Sequence, residues 1–442
     1  MDVEKYLDNF INEIENDNSV LRYVYNDKKN FIPFKTPVYY SGPYWDNCEL
    51  KAAVKALLLG KWLSSGESVR EFEIAFSKKF NFSSSLMVNS GSSANLVMLA
   101  AIKKTLAWKD GDEIILSSVG FPTTIAPVVH NNLSPIFVDI EWDTLNFDLK
   151  KIKTKISDKT KAIFISPVLG NPPDFDILME IKEKYDLELI LDDCDSLGSC
   201  WRGKLLSEYC LASSCSFYPS HHITTGEGGM VSSNNRDIIN TARSIAWWGR
   251  DCYCVGAKNL LPNGTCGKRF SQWLNDQDTV IDHKYVFVNM GYNLKPLDLQ
   301  GSIGLAQLDK FDEIHQKRKD SKKRIQNLFE NFVKDIFIPD ELEHAETSWF
   351  GTPVVCDDKR EKTLLVKYLE KNMIQTRPFF AGNILVHEGY RHLGNYREYV
   401  NANQILDRVF FVGASPHYDD KTFSYMETIL SGYVPTFSKT LA

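Results

Sequence analysis

The chain lacks a long uninterrupted apolar run: its hydrophobic stretches are broken by Lys, Gly or Pro, so no membrane-spanning helix is expected. The N-terminus, MDVEKYLDNFINEIEND, is charged throughout and has no apolar signal core. There is no polybasic segment, and a formal net charge of −6 over 442 residues makes nucleic acid an unexpected partner. Internal repeats and low-complexity tracts are missing as well, which argues against a solenoid. The expectation is a cytoplasmic globular protein with no membrane partner, long enough for more than one core.

What is present begins with nine cysteines, which without an export signal argue against a disulfide framework. Cys48, Cys200, Cys210, Cys215 and Cys356 are scattered and read as buried structural thiols, whereas Cys252, Cys254 and Cys266 cluster. Residues 1–60 read as an N-terminal arm in which nothing suggests chemistry. Beyond it, DEIILSS, PIFVDI, KAIFISP, LELILDD, CSFYP and GGMVSS read as strands. Helical patterns lie between several of them, at Ser92 to Lys104, Phe175 to Tyr185 and Arg236 to Trp247, which predicts an α/β fold with a mainly parallel sheet. Residues from about 250 to 290 break the rhythm as a Cys-rich excursion, and Trp247, Trp248 and the other aromatics at and within it read as packing. A helical stretch, Leu299 to Glu330, then leads into a smaller second domain.

Three segments carry chemistry. In VNSGSSANLVMLAAI, a strand end at Val88 runs through Gly91, Ser92 and Ser93 into a helix, so amides and hydroxyls together make a phosphate cradle or simply a helix cap. In ELILDDCDSLGS, Asp192 and Asp193 end an apolar strand, where ligand-binding groups gather in parallel sheets; solvated acids are the plainer alternative. In CSFYPSHHITTGEGGMVSS, a strand is followed by His221, His222 and a glycine-rich turn.

The last segment resembles the cofactor segment of the DegT/DnrJ/EryC1/StrS sugar aminotransferases, which runs Ser-Phe-x-x-x-Lys into a Gly-Glu-Gly-Gly type turn. The GSSA loop, FPTTIAPV, PIFVDI with Thr144, Asn146 and Asp148, and GYNLKPLDLQGSIGLAQL follow the family in the same order, over about residues 55–385. The resemblance implies the type I fold of pyridoxal-phosphate (PLP) enzymes. It would have an arm at 1–60, a large domain with a seven-stranded sheet at 61–298, and a small α+β domain at 299–442. It implies that Gly91, Ser92, Ser93 and Ser216 hold the cofactor phosphate, that Phe121 stacks on its ring and that Asp192 pairs with the pyridine nitrogen. Asn293 would reach the phosphate of a neighbouring subunit in a homodimer.

The family's Schiff-base lysine falls on His221, and no lysine lies between Lys204 and Lys258 to replace it. Imidazole cannot anchor PLP as an imine, so ordinary transamination is disfavoured, but it can move protons near neutrality. The substitution resembles the sugar 3-dehydratases, in which free pyridoxamine phosphate (PMP) condenses with a nucleotide-linked 4-keto sugar. His221 would take a proton from the cofactor C4′ and the C3 hydroxyl would leave; His222 is a weaker, substrate-side candidate. TRPFFAGN resembles the segment that approaches the sugar nucleotide, with Arg377 as a diphosphate or sugar contact.

Cys194, two residues after Asp192, with Cys252, Cys254 and Cys266, resembles the 2Fe-2S motif of the CDP-4-keto-6-deoxyglucose 3-dehydrases, although the gap before Cys266 is longer. A structural zinc site or unligated thiols are the alternatives. The resemblance implies a PMP- and 2Fe-2S-dependent enzyme of 3,6-dideoxysugar synthesis, with CDP as the expected nucleotide and electrons from an NAD(P)H-dependent iron-sulfur flavin reductase. The rivals are a cluster-free dehydratase and a non-catalytic scaffold that kept the fold.

Overall fold

A computed structural model describes residues 3–15, 31–254, 267–274, 276 and 278–434. Cys266, the expected fourth cluster ligand, lies outside them. Three helices lead the chain: α1 (Val3–Glu15), α2 (Asn47–Leu59) and α3 (Glu67–Lys79). Asp46 caps α2 by accepting from the Cys48 amide at 2.8 Å, while Glu49 reaches back to the Asp46 amide at 2.7 Å.

Seven strands form the main sheet: β1 (Ser84–Val88), β2 (Glu113–Ser117), β3 (Ser134–Val138), β4 (Thr160–Ile165), β5 (Glu188–Asp192), β6 (Ala212–Ser216) and β7 (Gly229–Ser233). Their order is β1-β7-β6-β5-β4-β2-β3, and β7 alone runs antiparallel to its neighbours. Burial on both faces explains the near-continuous apolar runs. Ala162, Phe164 and Ile190 face a core shared with α4 (Gly91–Thr105) and α5 (Pro122–His130). Ile163, Ile165, Leu189 and Leu191 face the opposite one, with α6 (Phe175–Tyr185). The helix α7 (Arg236–Ala246) completes the first layer. CSFYP keeps only its first two residues in β6, because the Tyr218 amide turns back onto Ser216 Oγ at 3.4 Å.

The single helical stretch expected from Leu299 to Glu330 is two helices, α8 (Asp298–Asp309) and α9 (Phe311–Phe332). Lys310 sits at the break with φ −94° and ψ 0°, and its ammonium reaches Asp46 at 2.8 Å and the fully buried Glu49 at 2.7 Å. Both α2 and α3 pack on α8, so the N-terminal segment is built into the body.

A second, antiparallel sheet follows, from β8 (Ile336–Phe337), β9 (Gly351–Cys356), β10 (Thr376–Pro378) and β11 (Val409–Gly413), in the order β8-β9-β11-β10. Val354, Phe410 and Val412 pack there against α9, α10 (Lys359–Lys371) and α11 (Asp420–Ser431). Val38 bridges to Ile374, which ties the N-terminal segment to this sheet. Among the described residues no helix is long and apolar enough to cross a membrane.

Candidate active site

Strands β1, β5 and β6 end at a cavity of about 610 Å³, a size suited to a small ligand. Gly229, the first residue of β7, pairs with both Val88 and Ser216 and so brings the loop before α4 against the end of β6. A Cβ on Gly229 would stand 2.3 Å from the Ser90 carbonyl oxygen, and one on Gly91 would stand 2.5 Å from Ser216 Cβ. Two glycines therefore let the start of α4 touch Ser216. Ser90 caps α4, accepting from the Ser93 amide at 3.1 Å, and the first-turn amides are left without intrahelical acceptors. With Ser92 and Ser216 on the wall, this helix start fits a phosphate. Ser93 does not line the cavity: its hydroxyl accepts from Ser90 Oγ within the cap.

Asp192 ends β5, is 5% exposed, and is held in place. Its Oδ2 accepts from Asn95 Nδ2 at 2.8 Å and Thr124 Oγ1 at 2.7 Å, and its Oδ1 accepts from the Cys194 amide at 3.3 Å. Phe121, at the start of α5, exposes its ring to the same cavity. A buried carboxylate beside a phosphate-sized helix start and an open ring fits the pyridine nitrogen, phosphate and ring face of PLP or PMP. Asp193 points elsewhere: it accepts from Ser196 Oγ at 2.6 Å, and burial pushes its carboxyl up to about 8.

His221 lines the cavity with its Nδ1 buried and without a hydrogen-bond partner. Burial, reinforced by the Arg318 charge, pushes its imidazole down to about 4, against a contact with the Cys194 backbone. Asp195 Oδ1 stands 3.6 Å from Nδ1. Burial and the Asp192 charge raise the Asp195 carboxyl to about 8, although Arg318 opposes this. Arg318, 1% exposed, donates to the carbonyls of Ser220 at 3.1 Å and His221 at 3.0 Å, fixing the backbone under the imidazole. His222 is turned away from the cavity. Its Nε2 meets the Ser348 carbonyl at 2.8 Å, so it is a buried packing residue and not a substrate contact.

Cys194 lies on the cavity wall, and burial followed by the Asp192 charge holds its thiol well above the usual range. Cys252 and Cys254 contact each other outside the cavity. Among the described residues no three His, Cys, Asp or Glu side chains converge as a metal-ligand set, so the expected cluster ligands are not assembled there. Of the thiols read as buried, Cys215 and Cys356 are, Cys200 and Cys210 are half-buried, and Cys48 is exposed. Asn293 is exposed beyond the cavity, bridged to Trp247 and accepting from the Lys295 ammonium. Trp248 is not simply packed; it is 39% exposed between Lys295, 3.2 Å from its ring centre, and Arg250, at 4.5 Å.

Arg377 reaches the cavity from β10 and lies 4.2 Å over the ring of Tyr40. Tyr40, from a segment with no sequence sign of chemistry, thus forms part of the wall. Asn95, one helical turn beyond Gly91, and Thr124, inside FPTTIAPV, were both readable as companions of Asp192 only once the strand ends were brought together. Arg318 carries no local signal at all, being an arginine in a helix rich in charge.

The family described as DegT/DnrJ/EryC1/StrS aminotransferase family matches residues 46–430. The dTDP-4-dehydro-2,6-dideoxy-D-glucose 3-dehydratase of Saccharopolyspora spinosa is 35% identical over 418 residues, spanning 92% of this chain and 89% of the relative. The lipopolysaccharide biosynthesis protein RfbH of Salmonella typhimurium is 36% identical over 408 residues, spanning 90% of this chain and 92% of its own. The structure of an E. coli GDP-4-keto-6-deoxy-D-mannose-3-dehydratase with bound hydrated PLP superposes with a TM-score of 0.77 at 30% identity, covering 89% of this chain and 99% of that one.

Proposed function

Since the chain belongs to the DegT/DnrJ/EryC1/StrS aminotransferase family and has its type I fold, we propose that it removes the C3 hydroxyl of a nucleotide-linked 4-keto-6-deoxyhexose with the aid of PMP. The observation that carries this reading is His221, a buried imidazole with an unpartnered nitrogen on the cavity wall, at the position to which the sequence resemblance assigns the aminotransferases' lysine. PMP, when bound, supplies an amine for the keto carbon and a ring that accepts electrons. The chain supplies the rest. The amides of Gly91 and Ser92, with the Ser92 and Ser216 hydroxyls, bind the phosphate, and Phe121 orients the ring. Asp192, oriented by Asn95 and Thr124, holds a proton on the pyridine nitrogen. His221, kept neutral by burial, accepts the proton from C4′, and Arg377 binds the diphosphate.

Apolar side chains exposed near Asn293, with Met290 at 98%, favour a homodimer in which a second copy covers this face. A finer reading adds reduction of the dehydrated sugar by a 2Fe-2S cluster on Cys194, Cys252, Cys254 and Cys266, fed by an NAD(P)H-dependent iron-sulfur flavin reductase. One observation favours it: Cys194 stands on the cavity wall beside Asp192. The dehydration itself does not depend on that set.

The test is the PMP-loaded protein with CDP-4-keto-6-deoxyglucose in deuterated water, followed by NMR. Deuterium at C4′ and loss of the C3 hydroxyl are expected. Transfer of nitrogen to the sugar without C3–O cleavage would replace the dehydratase reading with a transaminase one.

A further inference from the structure

Residues 39–46 belong to neither helix nor strand, yet two neighbours among them serve opposite ends of the cavity. The Tyr40 ring carries the Arg377 guanidinium at 4.2 Å. Ser41, the next residue, donates its hydroxyl at 2.9 Å to the carbonyl of Ser220, immediately before His221. Consecutive Cα atoms stand about 3.8 Å apart, so one peptide unit links the support of the cation to that of the base.

The loop 220–224 follows β6 of the main sheet, and this segment holds it at both ends. Trp45 Nε1 donates to the Thr224 carbonyl at 3.2 Å. Gln307 of α8 accepts from the Thr224 amide at 3.1 Å and donates to the Tyr44 carbonyl at 2.9 Å. Arg318, already bonded to the Ser220 carbonyl, also donates at 3.2 Å to that of Phe350, whose ring lies 5.2 Å from the imidazole on the cavity wall.

The same segment is anchored to the second sheet. The Tyr418 hydroxyl donates to the Tyr39 carbonyl at 2.7 Å, and His417 Nε2 meets the Pro43 carbonyl at 2.9 Å. A Cβ on Gly413, the last residue of β11, would stand 1.8 Å from the Tyr40 carbonyl oxygen, so only glycine lets the segment pass there. Arg377 belongs to this sheet and His221 to a loop of the other, and residues 39–45 span the two.

We propose that residues 39–45 are a strap that sets the spacing between base and cation, with Ser41 and Trp45 as positioning residues for His221 and Tyr40 as the positioning residue for Arg377. The inference rests on the reading above, which gives His221 the proton transfer and Arg377 the diphosphate. Misplacing a reacting group by about 1 Å costs about 10²-fold in rate, whereas a lost cation–π contact weakens binding by about 3- to 30-fold. Adjacent residues of one strap therefore act on different kinetic constants.

The experiment has two readouts on the full chain. In amide hydrogen exchange without sugar, Ser41→Ala combined with Trp45→Phe should speed the segment 217–228 by about 3- to 10-fold, with the thermal midpoint within a few degrees of the parent. In the PMP-loaded protein, deuterium entry at C4′ is followed against the concentration of a CDP-, dTDP- or GDP-linked 4-keto-6-deoxyhexose. The double variant should lose about 10- to 100-fold in kcat with KM within a few-fold, and Tyr40→Leu should raise KM by about 3- to 30-fold with the smaller change in kcat. Ser41→Thr with Trp45 intact, which keeps both donors, should match the parent in both readouts. Unchanged amide exchange of 217–228 in the double variant, or kcat and KM moving together in every variant, would overturn the strap and leave the dehydratase reading standing. No deuterium entry in the parent with any of the three sugars would overturn both.

Discussion

His221 Nδ1 lies 3.6 Å from Asp195 Oδ1, too far for a hydrogen bond and close enough for an ion pair. The pair shares one proton in the neutral range, and burial assigns it to the carboxyl: the imidazole is pushed down to about 4 and the carboxyl up to about 8. His221 is thereby kept as a free base beside a carboxyl that holds its own proton, so the imidazole is open to accept one from the cavity.

His221→Asn removes that base without emptying the phosphate cradle. PMP binding is expected to persist within a few-fold, while deuterium exchange at C4′ falls by about 10²- to 10⁴-fold. Exchange at the parental rate would take His221 out of the proton transfer.

Thr124→Val removes one of the two side-chain donors on Asp192 Oδ2. A hydrogen bond to a charged group is worth about 1.5–3 kcal/mol, so urea denaturation should show a loss of that order. Thr124→Ser, which keeps the hydroxyl, should retain most of the stability that Thr124→Val loses; equal stability of Thr124→Val and the parent would show that this hydrogen bond contributes nothing net.

Gly91→Ala sets a Cβ 2.5 Å from that of Ser216. Overpacking of this kind costs about 1–3 kcal/mol. The start of α4 should move off β6, and PMP affinity should fall more than overall stability, as measured by titration and thermal melting on the same sample.

Cys252→Ser tests the finer reading through metal content. Anaerobically prepared parent protein is expected to hold about two irons per chain with matching sulfide, and the variant to lose them while still dehydrating the sugar. A full iron complement in the variant would remove Cys252 from the ligand set.

Asp46→Ala breaks the α2 cap and the Lys310 pair, at a cost of about 0.5–2 kcal/mol from the cap. Burial opposes ionisation of Asp46, but Lys310 and the Cys48 amide hold its carboxyl below the usual range. A lowered folded-state value means the contribution is present at neutral pH and lost as pH falls through that value. The gap between parent and variant melting temperatures should therefore close in acid.

The sheet was legible because its strands are buried on both faces, so that runs such as KAIFISP and LELILDD need no alternation. The residues that line the cavity were legible where chemistry and conformation coincide: Gly91 and Ser92 at a helix start, Asp192 at a strand end, His221 before a glycine turn. Ser93 and His222 misled because adjacent hydroxyls or imidazoles look alike in a sequence, while the backbone sends one to the cavity and the next to a cap or a carbonyl. The break at Lys310 was hidden because lysine is a good helix former; only its two carboxylate partners, from a distant segment, reveal it. Tyr40 and Phe350 were invisible because an aromatic residue announces burial, not which cavity it faces.

The join between the two ends of the chain has a temporal consequence. The Val38 amide donates to the Met373 carbonyl, and the Tyr40 amide to the side chain of Gln375, 335 residues later. At about 5–20 residues per second, a ribosome needs roughly 20–70 s to deliver that partner. The main sheet can close in the interval, but the wall of Tyr40 and Arg377 cannot, so a nascent chain can carry a formed phosphate cradle well before it has a complete cavity.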